Sequence, residues 1–520
     1  MNQLFAKKSL KVLLDEMAGE HRLRRVLGPV TLTALGIGAV IGAGIFVATG
    51  EAAHNTAGPA LMLSYVVAGI TCVFAALCYA EFASMAPVAG SAYAYAYTTM
   101  GELFAWIIGW DLILEYAVGA ATVANGWSSY FQAVLEKLSL LQYLPEVFRA
   151  APIVYDDKIH EFVRTNAIFN LPAVLIVAIV TAVLVKGIQE SAGFNALMVF
   201  IKVVAVVFVI LVGAFYINPD NWKPFAPFGW TGISFFGIPV MGQSTKGAAG
   251  GDPLGMIAGA SIIFFAYIGF DSVSTHAEEA RRPQRDVPIG IICSLLICTV
   301  LYVGVVAVLT GMVKYDKINV DAGVSDAFKQ AGLPWAEFII AAAGVAGITS
   351  VLLVMMLSAP RVFLAMARDG LVPRGFFADV HPVFRTPWKS TILIGIFVAL
   401  LTAFLPIKWL LHLTNIGTLF AFVIVCGAVW IMRNTNPDAE RPFRCPMVPL
   451  VPILGIGSCL LLMFSLPPGN WARLGGWLVL GLIIYFTYGR HHSLLGKELR
   501  GEIATHGVSP AGMLKDEAKY

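Results

Sequence analysis

Charge is scarce in this sequence. Of its 520 residues only 13% are Asp, Glu, Lys or Arg, about half the share of an ordinary soluble protein. That is too little to coat the three or four water-facing domains that length alone suggests, and a mean hydropathy of +0.77 places most of the chain in lipid. Cysteine is sparse too. The seven residues Cys72, Cys78, Cys293, Cys298, Cys426, Cys445 and Cys459 lie mainly in apolar runs, without a Cys-x-x-Cys pair or a histidine cluster at metal-ligand spacing. They read as small buried apolar side chains, and no metal or cofactor is expected. The net charge of +3 is spread over short loops, so nucleic-acid binding lacks an electrostatic footprint. No nucleophile, base and orienting group stand together in the apolar runs, which argues against a membrane enzyme.

What the chain has is apolar length. Lys7, Lys8, Lys11, Arg22, Arg24 and Arg25 precede a run from Pro29 to Ala53 that is too long for a signal-peptide core and reads as an uncleaved first span. A span needs about 20 mostly apolar residues. Twelve segments qualify, near 29–53, 59–86, 101–134, 170–186, 191–217, 254–280, 287–313, 334–359, 390–405, 409–432, 448–466 and 474–489. The expected fold class is therefore an all-α membrane protein of twelve transmembrane helices. With the amino terminus inside, roughly twice as many Lys and Arg residues fall on the inner side as on the outer, so both termini are expected in the cytoplasm.

Two spans carry glycine clusters where a continuous helix is otherwise expected, at Gly36–Gly44 and around Phe265–Asp271. They open two consecutive groups of five spans. An odd count inverts the second group relative to the first, and paired broken helices in such halves point to a transporter site. The chain divides accordingly into a cytoplasmic segment 1–28, a first five-helix repeat 29–217, a second 254–432, two additional helices 448–489 and a cytoplasmic tail 490–520.

At 1.5 Å per residue the first break, the second break and Lys202 all lie about 16 to 20 Å into their spans, near the middle of a core about 30 Å thick. Unwound backbone is tolerated there only where protein or a polar cavity satisfies it. The outer half of the first span starts near Ala43, and the free N–H groups of Ala43, Gly44 and Ile45 suit a carboxylate. The inner half ends near Val40 and the outer half of the sixth near Phe265, leaving carbonyls that suit an ammonium. Donors facing acceptors fit a zwitterion such as an α-amino acid.

Lys202 stands in the run Ile201–Phe208, where a charged lysine costs roughly 2.5 to 3.5 kcal/mol even on the mildest scale. Burial disfavours its charged form and nearby carbonyls favour it, so it is either a proton-exchanging group or a charged strut between helices. Thr349 and Ser350 are candidate partners for it. Asp111 and Glu115 share a face of the third span at i, i+4, below Glu102. They are candidates to line a polar cavity, meet a substrate cation or relay protons, or to serve only as structural hydrogen-bonding groups. Asp271 follows the second break, either as cap of the inner half-helix or as part of the cavity. Tyr93, Tyr95 and Tyr97 read as packing or interfacial residues.

Seven motifs in order carry a family resemblance: GIGAVIGAGIF (36–46), YAEFASMAPVAGSAYAYAY (79–97), GELFAWIIGWDLILEY (101–116), FFAYIGFDSVSTHAEEARRPQRDVPIGI (264–291), AMARDGLVP (365–373), TNIGTLFAF (414–422) and RPFRCPMVP (441–449). From about Leu27 to Arg490 the chain resembles the amino acid/polyamine/organocation (APC) superfamily, and within it the bacterial proteins similar to cationic amino acid transporters. The resemblance implies the LeuT-like five-plus-five inverted-repeat fold with two further helices, and alternating access in the cell membrane. Its carboxylate site falls on Ala43 and Gly44, and its ammonium site on the carbonyls of Val40, Phe265, Ala266 and Ile268. Lys202 matches the lysine that takes the place of a sodium ion in sodium-driven cousins, which implies proton coupling without sodium. The implied partners are an amino acid, cationic or small and neutral, a proton and the lipid bilayer; importer and exchanger both remain open, as does a small membrane partner subunit. A channel is disfavoured, because one chain with two broken helices encloses its own site. Ala43 departs from a hydroxyl residue common in close relatives, Arg282 from a usual asparagine, and Pro360 from a helix-compatible residue, which puts the end of the eighth span in doubt.

Overall fold

The computed structural model describes residues 3–8, 27–85, 91–156, 161–187, 191–235, 238–245, 251–275, 280–320, 322–384 and 386–502. Lys11, Arg22, Arg24, Arg25, part of the second motif (86–90), Glu278, Glu279 and the tail beyond 502 lie outside these residues.

Helix occupies every one of the twelve apolar segments. The principal helices are α1 (Pro29–Val40), α2 (Leu61–Met85), α3 (Glu102–Lys137), α4 (Leu171–Lys186), α5 (Ser191–Gly213) and α6 (Met256–Ile263). They are followed by α7 (Pro283–Met312), α8 (Pro334–Arg368), α9 (Trp388–Phe404), α10 (Ile407–Thr435), α11 (Leu450–Phe464) and α12 (Pro468–Ile484). Among the described residues seven helical stretches are long and apolar enough to cross a membrane, and five apolar helices are shorter. Among the described residues three two-stranded antiparallel pairs lie in the connections before α4 and before α6. The α8 helix does not stop where the sequence placed it in doubt: it runs through Pro360 to Arg368. Proline deletes one backbone hydrogen bond, and packing of α8 along α3 and α5 holds the rest of the helix.

Helices five apart in sequence lie side by side: α2 on α7, α3 on α8 and α4 on α9. One group comprises α1, α2, α6 and α7, and another α3, α4, α8 and α9, with α5 packed against members of both. Apolar stripes remain on the outside. On α4, Leu175, Ile179 and Val183 are 51%, 58% and 44% exposed at the i, i+4, i+8 spacing of one helix face. A soluble monomer rarely leaves such faces uncovered.

The face that carries both termini is tied by buried charge. Glu81, at the end of α2, accepts from Arg433 Nε and Nη2 at 2.8 Å each and from the Cys445 N–H at 2.7 Å, and Arg441 Nε stands 3.2 Å away. Glu102 accepts from Tyr97, Tyr485, Ser493 and Gln3, which come from four separate parts of the chain. Removing one partner of a buried ion pair costs about 3–5 kcal/mol, because the other charge is left behind. Glu81→Ala is therefore expected to lower the thermal-unfolding midpoint in detergent, while Leu400→Ala, on an exposed stripe, leaves it nearly unchanged. Equal midpoints for both variants would deny the cluster a stabilising role.

Candidate functional site

The first break is short. The α1 helix ends at Val40, Ile41 is extended (φ −72°, ψ 107°) and helix resumes at Ala43 (φ −54°, ψ −26°). Past the break the first bond back across the start joins Phe46 N–H to the Gly42 carbonyl at 3.3 Å. The N–H groups of Ala43, Gly44 and Ile45 thus occupy the helix start, where no intrahelical acceptor exists. The second break falls within the stretch Phe265–Asp271 that the sequence marked. The α6 helix ends at Ile263, tightens into a 3₁₀ turn Phe264–Tyr267 and then turns extended at Ile268 (ψ 132°). Gly269 sits at φ +116°, where a Cβ would meet the Ala39 carbonyl, a conformation that only glycine adopts readily.

These two breaks pack on each other. A side chain on Gly44 would run into the Cα of Ala266, so the backbones touch at a point where sequence reasoning asked for facing donors and acceptors. Tyr302 of α7 joins them: its hydroxyl lies 2.8 Å from the Val40 carbonyl and 3.0 Å from that of Ala266. The Phe265 carbonyl accepts from Ile268 N–H at 3.2 Å within its own turn. One hydroxyl proton serves the Val40 and Ala266 carbonyls by turns, so these two share a single internal donor, while the Phe265 carbonyl has its own. Tyr302 was not singled out from sequence, although the depth arithmetic applied to Lys202 would have marked a hydroxyl at this level.

Lys202 is fully buried, and its ammonium donates to the carbonyls of Gly38 and Ile41, the latter at 3.0 Å. These are carbonyls released by the end of α1. Its pairing with Thr349 and Ser350 is not observed. Thr349 Oγ1 accepts from Trp127 Nε1 at 2.9 Å and donates to the Val345 carbonyl at 2.7 Å, and Ser350 donates to the Gly347 carbonyl at 3.2 Å. Both hydroxyls serve their own helix, a habit of Ser and Thr in helices. The lysine stem meets α8 at Gly347 instead, where a Cβ would come within 3.1 Å of its Cγ.

Asp111, Glu115 and Asp271 are buried together with Tyr79 and Tyr116. Tyr116 Oη donates to Asp271 Oδ2 at 3.0 Å, and Ser274 donates to the Asp271 backbone carbonyl at 2.6 Å. Among the described residues no carboxylate oxygen of Asp111 or Glu115 has a hydrogen-bond partner. A buried carboxylate in that state calls for a proton or a cation. Tyr93 and Tyr97 are core residues, not interfacial ones: Tyr93 donates to Asp369 at 2.6 Å and Tyr97 to Glu102 at 3.1 Å, while Tyr95 stacks on Phe82. On the side away from the termini Ala43, Phe265, Lys408 and Glu51 line one narrow cleft.

The family profile for amino acid permeases matches residues 27–486, a stretch that contains both breaks, Lys202 and the carboxylates. The chain belongs to the amino acid permease family. Among relatives of this permease, the branched-chain amino acid permease BcaP of Bacillus subtilis is 45% identical over 95% of the chain and 99% of that protein. The methylthioribose transporter of the same organism is 44% identical over 96% of the chain and all of its own length. The vacuolar cationic amino acid transporter 4 of Arabidopsis thaliana is 36% identical over 84% of the chain and 68% of its own. These relatives are transporters, and the permease is a multi-pass membrane protein and no enzyme. Two relatives of nearly equal identity bear names with unlike cargoes, so overall identity does not single out the cargo of this permease.

Removing the Tyr302 hydroxyl would take away the one donor that the Val40 and Ala266 carbonyls share, at about 1–3 kcal/mol. Tyr302→Phe is therefore expected to lower the thermal-unfolding midpoint of the permease in detergent. An unchanged midpoint would mean that the hydroxyl adds nothing to the packing of the two breaks.

Proposed function

We propose that the chain is a secondary active transporter of amino acids that works by alternating access, coupled to protons and independent of sodium. Its cargo is a cationic or small neutral L-amino acid, held with its carboxylate at the N–H groups of Ala43, Gly44 and Ile45 and its ammonium at the carbonyls of Val40, Phe265, Ala266 and Ile268. In this reading the twelve helices form two inverted five-helix repeats, 29–217 and 254–432, with the last two helices added. Packing of α2 on α7, α3 on α8 and α4 on α9 supports that arrangement. Both termini face the cytoplasm, in line with the Lys and Arg excess on that side. Alternating access is a rocking of α1, α2, α6 and α7 against α3, α4, α8 and α9, which parts the two breaks and exposes the donors and acceptors they now hide.

One observation carries the coupling: a buried lysine donates to Gly38 and Ile41, the very carbonyls that the break releases. Charged, Lys202 ties α5 to α1. Neutral, it offers fewer protons to those carbonyls and loosens the tie, so protonation biases which arrangement of the first group is held. Asp111, Glu115 and Asp271 lie on the side of the breaks toward the termini, where a proton or a positive side chain leaves.

The test is uptake into proteoliposomes under an imposed pH gradient. Lys202→Ala is expected to fold and to exchange radiolabelled amino acid, yet to lose accumulation driven by the gradient. Accumulation as strong as in the unaltered protein would remove Lys202 from the coupling.

A further inference from the structure

Asn415 belongs to α10, the fifth helix of the second set of five, as Lys202 belongs to α5, the fifth of the first. It is fully buried, and its Nδ2 donates to the carbonyls of Ser261 at 2.8 Å and Ile262 at 2.7 Å. Both carbonyls lie in the last turn of α6, among the last four that a helix leaves without partners of its own. An amide has one donating end, and with two carbonyl oxygens before it that end has to face them. Thr414, one residue earlier, donates to Leu410 along α10 itself, whereas the Asn415 amide crosses to another helix.

The first break is held in the same register. The cap N–H of α1, at Ile41, returns to Ile37, and Lys202 takes the next carbonyl, that of Gly38. The cap N–H of α6, at Phe264, returns to Ala260, and Asn415 takes the next carbonyl, that of Ser261. Each set of five thus closes the end of its broken first helix with a side chain of its fifth. The halves so held are opposite: Lys202 holds the half of α1 on the side of the termini, and Asn415 the half of α6 on the side away from them. The α10 helix packs along α3, so its bonds to α6 cross between the two groups that rock against each other. An amide exchanges no proton, so this second tie differs in kind from that of Lys202.

We propose that Asn415 is a positioning residue for transport: its amide locks the half of α6 away from the termini onto α10, and the protein opens on that side when the bonds to Ser261 and Ile262 part. This rests on the alternating-access reading and deepens it, since each of the two openings then has a side-chain lock of its own. The amide oxygen, buried without a hydrogen-bond partner among the described residues, adds no bond that holds α10 elsewhere.

Asn415→Leu, similar in size and without the amide, tests this when combined in turn with Val47→Cys, in the helix beyond the first break, or Ile37→Cys, in α1. Both side chains are buried, at 4% and 8% exposed. Purified full-length protein in detergent is treated with a water-soluble maleimide, and labelling is counted above that of the seven native cysteines. Labelling at position 47 is expected to rise about fivefold, the worth of one net hydrogen bond, and labelling at position 37 to fall, because a carrier open on one side is shut on the other. Asn415→Ser, smaller and with one donor, moves both readings the same way by less, and it carries the test if the leucine variant does not fold. Labelling that rises at both positions, as general loosening gives, or that changes at neither would overturn the role of Asn415. The labelling needs no cargo, so the two readings fail separately: absence of amino acid counterflow in the unaltered protein would end the transport reading, and counterflow intact without the labelling shift would end this one alone.

Discussion

A helix cut at mid-depth leaves backbone carbonyls with no water to meet them, and in this protein the ammonium of Lys202 meets them. That bond fixes how α5, α1 and α8 meet at the first break. It requires α5 to lie against the end of α1, it requires a small residue at Gly347 so that the lysine stem can pass α8, and it holds the first break open enough for helix to restart at Ala43. The energetic logic is that of any buried polar group: an unpaired carbonyl or an unpaired ammonium is expensive, and bringing them together removes both costs.

Around that bond the chain leaves some polar groups satisfied and others waiting. Tyr302 bridges the Val40 and Ala266 carbonyls across the two breaks, while Asp111 and Glu115 remain without hydrogen-bond partners among the described residues. Satisfied groups favour the packed arrangement, and unsatisfied ones favour an arrangement in which something else arrives. A carrier needs both kinds, because a site complete without its cargo has no reason to take it up. By contrast, Glu81 with its arginines and Glu102 with its hydroxyl donors are complete within the chain, and they lie at the face that must hold together.

Much of this was legible in the residues. Apolar length placed the helices, and glycine at mid-span placed the breaks to within a few residues, since few other features explain such clusters at that depth. Lys202 announced itself because a lone lysine in a valine run has no cheap alternative. The pairings were less legible. Thr349 and Ser350 lie at the right level for Lys202 but bond along their own helix and to Trp127, and helix rotation, which decides this, leaves no periodic trace in a span apolar on all sides. Tyr302 was passed over for the same reason, as one aromatic among many. Pro360 looked like a helix end, yet neighbouring helices keep α8 intact beyond it.

By itself, then, the sequence determined that this chain lives in lipid, how it is divided into helices, and at what depth two of them must break, because the cost of polar atoms in hydrocarbon depends on residue type and distance along the chain. Only the tertiary structure decided which carbonyl meets which donor, that the two breaks touch, and that Asn415 reaches the end of α6. Those are matters of angle around each helix axis, and angles are set by the packing of neighbours that lie far away in the chain.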